Sequence, residues 1–193
     1  MNSSFFAYLN RLTYIMRWSL MRNTVSENVA EHSMQAATVA HALALISNVV
    51  FKKAVNADKV CAAALYHDCS EILTGDLPTP IKYYNAEMKN AYKKIENNSI
   101  NMLIETLPKE LRAEYAKILY ISEDIVLYIK AADKLCALIK CIDELKSGNN
   151  EFKKAFEQVS KQVSNFSESD IGKEVDYFVD NFIKPFYLTL DEL

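Results

Sequence analysis

A chain of 193 residues, half of them hydrophobic, can bury one substantial core, which excludes disorder as its main state. Three glycines and four prolines are too few for the turns of a sandwich or barrel, so a set of long helices is expected. A net charge of -3 gives no basis for a nucleic-acid surface, and Cys61, Cys69, Cys136 and Cys141, none in a C-x-x-C pair, read as reduced, buried thiols.

In chain order, Phe5, Leu9, Leu12 and Met16 recur at three- and four-residue steps and predict a first helix starting near Ser3 or Ser4. Arg11 and Arg17 interrupt this apolar start and no small-residue cleavage site follows. Neither a signal peptide nor a membrane span is expected, and the reading is a cytoplasmic protein without a membrane partner. Residues 17–25 lose the period and read as a loop. Ser26 is the expected N-cap of a second helix reaching about Ser47, which places His32 on one face with Val39, Leu43 and Ile46. A third helix, from about Asp58 to Gly75, aligns Val60, Ala64, His67 and Glu71. Residues 84–107 and 109–120 predict two more helices. Ser122 then caps a helix whose stripe is Ile125, Ile129, Ala132, Cys136 and Ile139, with Asp133 beside it. Gly148-Asn149-Asn150 breaks the chain, and two further helices end on an inner face of Val175, Phe178, Phe182 and Phe186. No repeat, low-complexity tract or linker divides the sequence. The expectation is one all-α domain, a bundle of about seven to nine helices.

The chemistry concentrates in His67-Asp68-Cys69-Ser70-Glu71 and the following Thr74-Gly75-Asp76-Leu77-Pro78-Thr79-Pro80. Imidazole nitrogen and carboxylate oxygen side by side suit a divalent first-row metal, but two adjacent ligands cannot complete a coordination sphere. His32 points inward with its apolar neighbours, and Asp133 lies on an apolar helix where a bare carboxylate loses hydration. Each residue has an ordinary structural use: a core histidine with one hydrogen bond, or an aspartate paired with Lys134 or Lys130. Taken together, His32, His67, Asp68 and Asp133 favour a metal site. His41 has no such neighbours and reads as structural. Four arginines stand against eighteen lysines, so Arg17 is not the default cation, and a planar guanidinium suits bidentate phosphate recognition.

The order His32, His67-Asp68, Asp133 resembles the HD-domain metal-dependent phosphohydrolases. With Arg17-Trp18, Glu31-His32-Ser33, Tyr66-His67-Asp68, Glu71 to Pro80 and Ala131-Ala132-Asp133, the chain is similar to the bacterial 5′-deoxynucleotidases of the YfbR type over nearly its whole length. The resemblance implies an all-α HD domain and a homodimer. It also implies one divalent ion per subunit (cobalt, manganese or similar) and hydrolysis of deoxyribonucleoside 5′-monophosphates. Under it, Glu71 orients or deprotonates the attacking water, and Arg17 holds phosphate. Trp18 walls the sugar against a 2′-hydroxyl, Asp76 accepts from the 3′-hydroxyl, and Leu77, Pro78 and Thr79 line the pocket. Asp68 and Asp133 face the substrate as well as the metal. Nothing in the loop reads a base edge, so weak base discrimination is expected. Two rivals are an HD hydrolase of nucleoside triphosphates or an alarmone, and a non-catalytic HD-fold binding protein. The first favours more cations than the single Lys82 that follows the loop; the second favours loss of a ligand or of Glu71, and none is lost.

Overall fold

The structure is a computed structural model that describes residues 2–82 and 84–193, the side chain of Thr79 excepted. The fold is all-α, and an isolated bridge between Met16 and Asn28 is the only β pairing among the described residues. The described residues form ten α-helical segments: α1 Phe5–Leu9, α2 Val29–Val49, α3 Ala57–Leu65, α4 Glu71–Thr74, α5 Thr79–Lys82, α6 Ala86–Glu105, α7 Lys109–Leu119, α8 Glu123–Lys146, α9 Lys153–Ser164 and α10 Gly172–Phe178. That exceeds the seven to nine expected, because two single-turn pieces, α4 and α5, replace the end of the third helix and the proline loop. No helix among the described residues is long and apolar enough to cross a membrane.

α2 and α8 form the axis, packed on each other and on α3, α9 and α10. Ala36, Ala40, Leu43 and Ala44 of α2 meet Ile125, Ala132, Leu135 and Ile142 of α8, all buried in one main core. Small residues on the contact faces let the two helices approach closely, while each buried Leu or Ile contributes about 1.5–3 kcal/mol. A second, smaller core joins Phe5, Cys69, Leu103, Leu107 and Leu119, under α1, α6 and α7.

Local details depart from the sequence expectation where capping decides. α1 tightens into a 3₁₀ stretch at Asn10–Tyr14, and Met16 turns outward into the bridge with Asn28. α2 starts at Asn28 rather than Ser26. The Asn28 side chain accepts from the Glu31 N–H at 3.0 Å while the Glu31 carboxylate accepts from the Asn28 N–H at 3.2 Å, a reciprocal box that Ser26 lacks. The last stripe is half right: Val175 and Phe178 are buried, but Phe182 and Phe186 are exposed. There the helix widens into a π turn, Val179–Ile183, and then tightens into a 3₁₀ stretch, Lys184–Tyr187, so the helical period is lost.

Candidate active site

The His67-Asp68 pair sits at a junction between the two cores. Ala63 and Ala64 just before it belong to the main core, and Cys69 just after it to the smaller one. The third helix was expected to run through this pair but stops at Leu65. The His67 Nδ1–H donates to the Ala64 carbonyl at 2.7 Å, the group that would accept from Asp68 in a continuing helix. A carbonyl can only accept, so Nδ1 carries hydrogen and Nε2 faces the site. The chain restarts at Glu71, whose N–H donates to the Asp68 carbonyl at 2.9 Å, and Gly75 closes α4 at φ 67, in the left-handed region that favours glycine.

α2 brings His32, which is wholly buried, to the same point. His32, His67 and Asp68 each offer one ligand atom, and all three atoms lie within 4.8 Å of one another. His67 Nε2 is 3.1 Å and His32 Nε2 3.6 Å from Asp68 Oδ2. Asp133, delivered by α8, places Oδ1 3.3 Å from His32 Nε2, while its Oδ2 accepts from Lys134 Nζ at 2.9 Å. Asp133 thus pairs with Lys134 through one oxygen and approaches His32 through the other. The Nε2 atoms of both histidines are buried without a hydrogen-bond partner, an arrangement that costs free energy unless a Lewis acid takes their lone pairs. Two nitrogens and two carboxylates therefore fit a mixed-ligand divalent ion.

Arg17 leans over this cluster. Its terminal nitrogens are 3.6 Å from Asp68 Oδ2 and 3.8 Å from Asp133 Oδ1, and Nε is 3.1 Å from Glu27 Oε1. Arg11 and Arg22, its neighbours along the sequence, are exposed. Trp18 is half-buried and packs on Phe152 with ring centroids 5.3 Å apart, so the indole anchors its loop against the main core. Asp76, in the stretch after Gly75, feels the Arg17 charge from this loop. Leu77 and Pro78 are partly exposed beside it, and Thr79, also expected in the pocket, has a side chain outside the described part. Lys82 turns to Glu96, at 2.8 Å, and lies over the Tyr92 ring.

The electrostatics divide the carboxylates. Burial pushes Asp68 up, but His67 and His32 outweigh it and hold its carboxyl at about 2. Burial likewise opposes ionisation of Asp133, yet His32, Lys134 and Arg17 bring it well below its usual range. Glu71 behaves oppositely. Burial, then the negative charges of Asp68 and Asp76, raise it to about 9, and its Oε2 is buried with no partner. A dication held at Asp68 would reverse the sign of the neighbouring charge and release that proton. Asp76 is raised for the same first reason, burial, with Arg17 opposing.

One contributor had no sequence signal. Glu27, just before the α2 cap, is buried and sits 3.4 Å from His32 Nδ1 as well as 3.1 Å from Arg17.

A 5′-deoxynucleotidase from Erwinia tasmaniensis is 49% identical to this chain, over 100% of its residues and 96% of the relative. An HD-domain phosphohydrolase structure from Listeria innocua superposes with a TM-score of 0.81 at 23% identity, covering 95% of this chain and 88% of that one. The HD phosphohydrolase of cyanophage S-2L, solved with dA and one catalytic Zn2+, gives a TM-score of 0.62 at 21% identity, covering 92% and 95%. These two likenesses establish the HD-type helical fold. The family described as 5′-deoxynucleotidase YfbR-like matches residues 4–186, and with a full-length relative at that identity, the chain belongs to it.

Proposed function

We infer that the protein is a single-domain 5′-deoxynucleotidase that hydrolyses deoxyribonucleoside 5′-monophosphates to deoxynucleoside and phosphate. It uses one divalent metal ion per subunit, works as a homodimer and resides in the cytoplasm. The observation that carries this is the convergence of two partnerless imidazole Nε2 atoms on Asp68, with Asp133 and Arg17 at its edge. Full-length likeness to proteins named 5′-deoxynucleotidase supports the substrate class.

In this reading His32, His67, Asp68 and Asp133 hold the ion. The chemistry it supplies when bound is neutralisation of phosphoryl charge and acidification of a water. Arg17 grips the remaining phosphoryl oxygens, a task for its terminal nitrogens, which already face the Asp68 and Asp133 carboxylates. Glu71 takes a proton from the attacking water through its buried Oε2 as the water oxygen bonds to phosphorus and the ester P–O bond breaks, the leaving 5′-oxygen taking a proton from solvent to become the nucleoside hydroxyl. Asp76 and Trp18 define the sugar end. Leu77 and Pro78, with Thr79, are apolar or small and offer little to distinguish one base from another, so the preference among bases is weak.

The deciding experiment is phosphate release from a panel of mono-, di- and triphosphates, deoxy and ribo, after chelation and re-addition of cobalt, manganese or zinc. Deoxyribonucleoside monophosphates should lead, and chelation should abolish turnover. Preference for triphosphates, or full activity in chelator, would reject the reading. The ligand set has its own check: an Asp68→Ala, Asp133→Ala double variant should be purified without metal.

A further inference from the structure

Glu27 has no part in the reading above, yet one of its oxygens touches both halves of the site. Oε1 lies 3.4 Å from His32 Nδ1 and 3.1 Å from Arg17 Nε. Its main-chain carbonyl also accepts from the Arg17 N–H at 2.9 Å, so Arg17 is held by backbone and side chain of the same residue. Glu27 is itself buried, and it is fixed in the chain immediately before the Asn28–Glu31 capping box that starts α2. No part of this arrangement is free to drift.

We propose that Glu27 is a positioning residue that couples metal binding to phosphate binding, one carboxylate orienting His32 from behind and Arg17 from the side. The proposal rests on the reading that His32 ligates the ion and Arg17 the phosphoryl group. Toward His32, a carboxylate 3.4 Å from Nδ1 favours hydrogen on that nitrogen and leaves the Nε2 lone pair for the ion. Ala64 performs the same office for His67 through its carbonyl, so the two imidazoles are set by different means, one neutral and one charged. Toward Arg17, the Glu27 carboxylate pairs with the charge on the Nε side and leaves the two terminal nitrogens facing Asp68 and Asp133. That edge of the guanidinium is the one suited to bidentate contact with a phosphoryl oxygen pair. Glu27 touches no reacting atom. Its effect passes through the two residues it orients.

The test uses Glu27→Gln, close in shape but uncharged, with Glu27→Ala as the larger truncation. Metal affinity is read on chelator-treated protein by competition with a chromophoric chelator, and inhibition by inorganic phosphate is read at saturating metal. Glu27→Gln should weaken metal binding about 10- to 100-fold, the range in which partners behind a ligand act, both alone and on an Arg17→Ala background. It should also raise the phosphate inhibition constant, and that second effect should vanish once Arg17 is gone. Metal affinity equal to wild type in Glu27→Gln overturns the proposal, as does a phosphate effect that persists unchanged without Arg17. His32→Ala separates the two levels. If His32→Ala leaves metal affinity intact, the ligand reading itself fails. If it abolishes binding while both Glu27 variants bind normally, only the coupling role fails.

Discussion

Trp18 occupies the left-handed region at φ 57, a conformation that a bulky side chain adopts at a cost and that clusters where function demands it. Strain and the Phe152 contact together leave the indole little freedom to move aside. A rigid ring can exclude one hydroxyl by overlap, and excluding a small group is worth about 1–3 kcal/mol, roughly ten- to two-hundred-fold in specificity. Trp18→Ala should therefore narrow the gap between deoxy- and ribonucleotides, chiefly by admitting the latter. Arg17→Ala should depress both classes alike, since both carry the same phosphate. An unchanged deoxy-to-ribo ratio of kcat/KM in Trp18→Ala would reduce the indole to an anchor of its loop. At this scale much was legible beforehand. His32, His67, Asp68 and Asp133 could be picked out because each is a polar group with an inward or paired position, and burial of such groups needs a reason. Glu27 could not, because it lies in an aperiodic stretch and its value depends on Arg17 and His32 arriving from either side.

The loop that carries Arg17 and Trp18 is also clamped from α8 and the turn that follows it. Glu144, on α8 three turns beyond Asp133, is fully buried and accepts from the Thr24 N–H at 2.8 Å and the Val25 N–H at 3.3 Å. Asn149 donates to the same carboxylate at 2.8 Å and to the Arg22 carbonyl, and Lys140 completes the pairing. α8 thus carries Asp133 at one point and clamps the loop of Arg17 and Trp18 at another. Burial pushes the Glu144 carboxyl up, but the Lys140, Asn149 and Thr24 bonds win and hold it at about 2, below its ordinary 4.5. A carboxyl lowered by folding stabilises the fold above its unfolded pKa and loses that contribution as pH falls. Denaturant unfolding from pH 7 down to 2 should show wild type well above Glu144→Gln at neutral pH, by about 3 kcal/mol, the scale for breaking a buried charged pair. The difference should shrink between about pH 4.5 and 2. A gap that stays constant across this range would mean the clamp does not depend on the charge. The long helices were predictable from period alone, whereas the break after Leu65 was not. It arises from one side-chain hydrogen bond, His67 to Ala64, that no pattern of hydrophobicity encodes.

Across the whole molecule, the two cores account for most large apolar side chains but leave the C-terminal stretch uncovered. Phe182, Phe186, Tyr187, Leu190 and Leu193 are exposed there, Leu190 by 85%. Period had assigned Phe182 and Phe186 to an inner face. The change from α-helix through a π turn to 3₁₀ rotates them outward instead, which a fixed 3.6-residue repeat cannot anticipate. Aromatic and aliphatic groups left in water are the material from which subunit interfaces are built. If this stretch is the contact of the proposed homodimer, light scattering should report about twice the 22.0 kDa chain mass. Replacing Phe186 and Leu190 together with Asp should then move the mass toward that of one chain, because a charge opposed to its own copy across a two-fold interface is repelled as well as desolvated. The site residues all come from one chain and lie in the cluster between the two cores, so turnover by the dissociated variant should persist. A concentration-independent mass of 22.0 kDa for the unmodified protein would remove the dimer altogether. A double variant that stays dimeric would move the interface to another face, with Phe6, Tyr14 and Leu20 near the N-terminus, each exposed, the next residues to change.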